Sequence, residues 1–255
     1  MQFSKGSREG GRESVASSPE CGTVACMKTG RARNVQGDFG RHILIALLLG
    51  GMVAGCYYFV DRQAAIWARG LAPEIVAVFK RITVFGSSTP YLIGLALLYP
   101  ILRFSFGRPV TAKRALFVFS AIAISGLSVD LLKGILARWR PKAFFTEPAQ
   151  YGFAFFKTGY EHNSFPSGHA TTAWALACAL TLLYPRWRVL WVGAAALVAA
   201  SRVIVGAHYP GDVLAGAWFG VVVSLALSRT VWFREALEAP GGTARDIEKS
   251  TLQKT

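Results

Sequence analysis

Acid is scarce in this chain: 14 Asp and Glu stand against 28 Lys and Arg, and only 16% of its 255 residues carry charge. With 53% hydrophobic residues, so little charge excludes a chain that is solvated and unfolded throughout. Cysteine is equally sparse. Cys21, Cys26, Cys56 and Cys178 have no spacing that would build a zinc site or a disulfide framework. Cys56 and Cys178 lie in apolar runs and read as small hydrophobes, and Cys21 and Cys26 lie in a polar tail expected to face a reducing cytosol. The net charge of +14 has no basic helix with interleaved aromatics and no nucleic-acid module behind it. Nucleic acid is therefore excluded as a partner, and an anionic lipid surface is the simpler one.

Apolar runs of near-spanning length fill the gaps left by charge. Six recur: Ile43–Val60, Thr89–Phe104, Ala115–Leu132, Ala170–Tyr184, Val189–Ala200 continuing toward Val205, and Val213–Val231. A helix needs about 20 residues to cross the bilayer core, so the shorter runs are expected to extend into flanking residues. The fold class is all-α: a polytopic membrane bundle of six transmembrane helices over residues 41–232. Residues 1–40, rich in Gly, Ser and Arg, read as a disordered basic cytoplasmic tail with Met27 as an alternative start. Residues 233–255 read as a polar cytoplasmic tail. Val53-Ala54-Gly55-Cys56 resembles a lipoprotein cleavage site, but the apolar stretch continues through Tyr57–Val60 as a retained helix would. The stretch Asp61–Ser88 mixes Trp67, Ile75 and Phe79 with Arg69, Lys80 and Arg81, and predicts a helix lying in the membrane interface as a rim over the site.

Three short strings hold the chemistry: Lys133 through Arg140-Pro141, Pro166-Ser167-Gly168-His169, and Ser201-Arg202 through His208 to Asp212. No apolar span separates Pro141 from Pro166, and two spans separate His169 from Ser201. Parity thus brings all three strings to one membrane face and leaves His42 on the other. With the amino terminus inside, twelve bases flank inward span ends (Lys28, Arg31, Arg33, Arg41, Arg103, Arg108, Lys113, Arg114, Arg186, Arg188, Arg229 and Arg234). The outward loops hold ten: Arg62, Arg69, Lys80, Arg81, Lys133, Arg138, Arg140, Lys142, Lys157 and Arg202. Setting aside Lys133, Arg140 and Arg202, which phosphate chemistry needs wherever they lie, leaves seven. The bias puts both termini in the cytoplasm and the site outside.

Phosphoryl transfer spreads negative charge over the equatorial oxygens, so it calls for fixed cationic donors and an in-line nucleophile. Lys133, Arg140 and Arg202 supply the cations. Ser167 reads as the N-cap of the fourth span, whose free amides around Gly168 favour an anion, and His169 adds a titratable group beside it. His208 and Asp212 flank the turn Tyr209-Pro210-Gly211, so that the carboxylate can both cap a helix and hold one imidazole nitrogen. Asp130, one turn before Lys133, is expected to pair with it. His162 is expected near the mouth of the site, and the aromatic stretch Tyr151–Asn163 suits headgroup contacts.

The spacings Lys-x6-Arg-Pro, Pro-Ser-Gly-His and Ser-Arg-x5-His-x3-Asp resemble the signature of the type 2 phosphatidic acid phosphatase (PAP2) family, relatives of the vanadium haloperoxidases. The resemblance covers about residues 115–231. It implies His208 as the nucleophile forming a phosphohistidine, His169 as the general acid and Asp212 as the group orienting His208. It implies phosphate binding by Lys133, Arg140, Ser167, Gly168 and Arg202, with no metal and no cofactor. The substrate it implies is a lipid phosphate or diphosphate (lipid A, a polyprenyl diphosphate such as undecaprenyl diphosphate, phosphatidylglycerophosphate or phosphatidic acid), cleaved at the periplasmic face of a bacterial inner membrane. A lipid-to-lipid phosphotransferase would use the same site. A vanadate haloperoxidase would share it, but those relatives are soluble. A non-catalytic lipid-binding protein would be expected to have lost a motif position, and none is lost.

Overall fold

A computed structural model describes residues 35–146 and 150–239. The tails expected at either end therefore lie mostly outside the described residues. By contacts the chain divides into two units, Met1–Leu44 and Ile45–Thr255, and every site residue belongs to the second.

The first apolar run winds further than its hydropathy suggested. Helix α1 (Val35–Gly55) opens within the expected tail and passes through a π-helical turn, Cys56–Val60, into α2 (Asp61–Arg69). No proline interrupts it before Gly70, so the helix carries on through the polar step Asp61-Arg62-Gln63. The lipoprotein-like string Val53–Cys56 runs inside this helical stretch.

Pro73 then starts α3 (Pro73–Ile82), which continues through a 3₁₀ turn, Thr83–Gly86, to α4 (Ser88–Pro100) and a second π turn, Ile101–Ser105. The single interface helix expected over 61–88 is therefore corrected. Its first third prolongs one candidate span, Ile43–Arg69, and its remainder begins the next, Pro73–Ser105. The Gly70 break before Pro73 divides them, because a proline is favoured at the first helical position and ends whatever precedes it.

Helix α5 (Pro109–Leu136), α8 (Arg188–Ile204) and α9 (Pro210–Ser228) extend into the motif residues as expected. Among the described residues, five helical stretches are long and apolar enough to cross a membrane. The remaining run, the fourth in chain order, forms α7 (Gly168–Leu183), only 16 residues between Pro166 and Pro185. At 1.5 Å per residue it is about 24 Å long, short of a typical hydrocarbon core. Between α5 and α7 lies the short α6 (Pro141–Thr146). The expected polar tail from 233 is corrected at its start: α10 (Val231–Glu238) packs back on α5, with the Phe117 and Phe233 rings 5.4 Å apart. Arg114 donates from Nε to the Ala236 carbonyl at 3.0 Å, satisfying a helix-end acceptor.

Helices α7 and α9 cross at their small residues. A Cβ on Gly216 would collide with the Ser167 carbonyl, and one on Gly220 would stand 2.5 Å from the Thr171 carbonyl and 2.7 Å from the Ala175 nitrogen. One turn on, Ser224 Oγ donates to the Ala175 carbonyl at 3.2 Å. Gly216, Gly220 and Ser224 thus form a small-xxx-small stripe that lets two backbones touch. Large apolar side chains such as Leu47, Phe59, Leu97, Leu131 and Val189 point outward and exposed, as lipid-facing residues do.

Candidate active site

The site is assembled where α5, α7, α8 and α9 bring their motif ends together. Ala137 closes α5 with a left-handed φ of 40°, and the next residues run extended between two loop segments. Trp139 N–H donates to the Gly152 carbonyl at 3.1 Å, Arg140 N–H to Glu161 at 2.9 Å, and Ser164 N–H to Arg138 at 3.0 Å. The aromatic loop expected to meet a headgroup therefore also holds the first motif in place.

Lys133 Nζ lies 2.9 Å from Asp130 Oδ1, the expected i, i+3 pair. The same ammonium is 3.1 Å from where a Gly168 side chain would begin, so the first two motifs meet at a glycine. Arg140 is more constrained than its assigned duty suggests. Its Nε, Nη1 and Nη2 donate to the carbonyls of Tyr160, Ala207 and Asn163 at 2.9, 3.3 and 3.1 Å. A guanidinium has five N–H groups, so two remain for a ligand. Burial pushes the Arg140 pKa down from its ordinary value. Asp130, Lys133, Arg140, Lys157, Tyr160 and Asn163 are among the residues lining a cavity of about 330 Å³.

Ser167 occupies the N-cap position of α7 but does not cap with its side chain. Its Oγ is buried without a hydrogen-bond partner, which leaves a hydroxyl and the first α7 amides free for an anion. Arg202 donates from Nη1 to Thr83 Oγ1 at 2.5 Å, while its Nε is buried and unpartnered. The charged and titratable groups facing His169 are Arg202, His208, Lys133 and Arg140. The His169 ring packs so tightly on Gly86 that a Cβ there would lie 2.9 Å from its Cδ2.

His208 is 4% exposed. Its Nδ1 lies 2.8 Å from the Ser164 carbonyl oxygen. A carbonyl can only accept, so Nδ1 holds the hydrogen and Nε2 keeps its lone pair. Asp212, expected to hold this ring directly, stands 3.8 Å from Nδ1, beyond a hydrogen bond. Its carboxylate is spoken for by other donors: Ser164 Oγ at 2.6 Å, Tyr209 N–H at 3.0 Å and Arg138 Nη1 at 2.5 Å. Asp212 therefore holds His208 through Ser164, and also caps α9 as expected. Burial, opposed by Asp212 and reinforced by Arg140 and Arg202, pushes the His208 pKa down to about 4.

Sequence reasoning missed Arg138. It is 1% exposed and bridges Asp212 to Asp61 Oδ2, the latter at 2.7 Å. Burial alone would lower its pKa, but the Asp212 and Asp61 carboxylates outweigh that and hold it above the ordinary value. His162, expected near the mouth of the site, stacks on Trp139 with ring centroids 4.0 Å apart and both its ring nitrogens buried.

The PAP2 superfamily profile matches residues 114–236. Over 117 residues the chain is 40% identical to a lipid A 1-phosphatase of Rhizobium johnstonii; this stretch is 44% of the chain and 48% of that enzyme. Over 62 residues it is 45% identical to an undecaprenyl-diphosphatase of Sulfolobus acidocaldarius, covering 24% of the chain and 30% of that protein. The chain thus matches about half the length, or less, of these curated relatives. Its fold is similar to the crystal structure of a transmembrane PAP2-type phosphatidylglycerolphosphate phosphatase from Bacillus subtilis. That likeness has a TM-score of 0.54 at 21% identity, over 73% of this chain and 93% of that one. A multi-pass helical membrane protein with all three motif strings converging on one site, this chain carries a PAP2 superfamily region over residues 114–236.

Proposed function

We propose that the protein is a metal-independent lipid phosphate phosphatase working through a phosphohistidine. The observation that carries this reading is His208: its Nδ1 is committed to the Ser164 carbonyl at 2.8 Å, which leaves Nε2 as the nucleophile. Nε2 attacks phosphorus and the bond to the lipid oxygen breaks, with His169 giving that oxygen its proton. Water then attacks the phosphohistidine, giving a proton back to His169, and the P–Nε2 bond breaks to release inorganic phosphate. Lys133, the two free N–H groups of Arg140, Arg202, Ser167 Oγ and the α7 amides near Gly168 stabilise the equatorial oxygens.

Similarity to lipid A 1-phosphatases over 117 residues favours a lipid A phosphate as substrate. Similarity to an undecaprenyl-diphosphatase supports a polyprenyl diphosphate as the second reading. The excess of basic residues at inward span ends supports a site at the periplasmic face of an inner membrane. The test is phosphate release by purified protein in detergent with EDTA, comparing lipid A, undecaprenyl diphosphate, phosphatidylglycerophosphate and phosphatidic acid. Release from lipid A that persists in EDTA and vanishes in His208→Ala is the expected result. Retained turnover in that variant would sink the mechanism, and phosphate moving to a second lipid instead of water would make the protein a phosphotransferase.

A further inference from the structure

A buried chain of charge begins in the first span, outside all three motifs. Asp61 is 0% exposed at the head of α2, where an unpaired carboxylate would be costly. Its Oδ2 accepts from Arg138 Nη2 at 2.7 Å, and its Oδ1 accepts from the Gly211 N–H at 2.9 Å. Arg138 reaches on to Asp212 Oδ1 at 2.5 Å. Gly211 and Asp212 end the turn that starts at His208. Asp61 therefore grips this turn twice, once directly and once through Arg138.

Charge balance alone does not explain Asp61. One carboxylate neutralises one guanidinium, and Asp212 already provides it, so the second buried carboxylate adds desolvation cost without being needed for neutrality. Its second oxygen accounts for it: the backbone of the turn is bound by it. A Cβ on Gly211 would stand 3.0 Å from Asp61 Oδ2 and 3.4 Å from Cys56 Cβ, so glycine lets the turn approach the first span this closely. Arg138 is enclosed by the rings of Tyr57, Tyr151, Phe153 and Tyr209, whose centroids lie 5.0, 5.6, 5.6 and 4.5 Å from its Cζ. Tyr151 in turn donates its hydroxyl to the Tyr57 carbonyl at 2.7 Å. The guanidinium has little freedom to turn elsewhere.

We propose that Asp61 is a positioning residue for phosphoryl transfer, fixing the His208–Asp212 turn through Arg138 and Gly211 so that Nε2 of His208 faces phosphorus. This rests on His208 as nucleophile. The test measures kcat, KM and Tm in detergent for phosphate release, with His208→Ala as the reference. Asp61→Asn keeps an acceptor for Gly211 and loses the charge on Arg138; Asp61→Ala loses both. The expected kcat losses are about tenfold for Asn and about a hundredfold for Ala, with KM within about twofold, as misplacement of a reacting group gives. Asp61→Asn added to Arg138→Gln is expected to cost nothing more than Arg138→Gln alone. Unchanged kcat in a folded Asp61→Asn, a loss confined to KM, or losses that multiply in the double variant would overturn the assignment. If the Asp61 variants do not fold, Gly211→Ala presses on the same contact from the other side and must lower kcat at constant KM. Full kcat there overturns it equally. Turnover surviving in His208→Ala is the separate failure, that of the underlying reading.

Discussion

At the scale of the residue, the chemistry turns on which nitrogen of His208 is free. The Ser164 carbonyl fixes the hydrogen on Nδ1, and a pKa near 4 keeps the ring neutral across ordinary pH. The sign follows: below that value Nε2 is protonated and cannot attack, and above it the nucleophile is ready. kcat should therefore fall as pH drops through about 4, and a pH–rate profile with alkaline-quench trapping of the acid-labile phosphohistidine would reveal it. Ser167 offers a second check. Its unpartnered hydroxyl costs free energy unless a ligand uses it, about 1–3 kcal/mol for a buried group. Ser167→Ala should thus weaken phosphate binding, raising the inhibition constant for inorganic phosphate about tenfold or more, with little loss of Tm. Asp130 was legible because a carboxylate ending an apolar run needs a partner and Lys133 was one turn away. Asp61 gave the same signal, but its partner lies 77 residues on, and no local spacing points there. Arg138 was hidden differently: two residues from a motif arginine, it reads as one more loop cation until its burial is known.

Among the elements, spans were readable and their contacts were not. Continuous hydropathy located the runs, and the structure lengthens most of them into their motif ends. The 61–88 segment misled because mixed polarity suits both an interfacial helix and the polar end of a span. The close crossing of α7 and α9 was present in the sequence as Gly216, Gly220 and Ser224. Yet a glycine in an apolar run does not say which helix it faces. The space is so limited that Gly220→Leu should force the helices apart, costing about 1–3 kcal/mol as a lowered Tm in detergent. Gly216→Ala should lower kcat more than Tm, since it presses on the carbonyl of Ser167 within the second motif. Gly86, against His169, is the corresponding contact from the 3₁₀ turn before α4.

For the whole molecule, parity of the spans was the decisive inference. It needed only hydropathy, and the geometry brings Lys133 to Gly168 and His208 to the Ser164 loop as parity requires. The membrane side of that face is a separate matter, for which the bias of basic residues argues and which labelling can test. In a cysteine-free background, Lys157→Cys should react with a membrane-impermeant maleimide added from the periplasmic side, and Arg186→Cys should not. The reverse pattern would invert the protein. What no pattern conveyed was that the first span belongs to the active site. It carries no motif, and the superfamily profile begins only at residue 114.

That last point bears on how this chain could be divided. A piece cut to residues 109–231 would hold every motif side chain and nothing of Asp61 or Tyr57. Arg138 would keep one counter-charge and lose one wall of its aromatic enclosure. Two fragments expressed together, broken between Arg69 and Pro73 where the helix is already interrupted, would retain both halves of the bridge. The motifs alone are thus an inventory of reacting groups, and the span ahead of them supplies Arg138 with its second counter-charge and an aromatic wall.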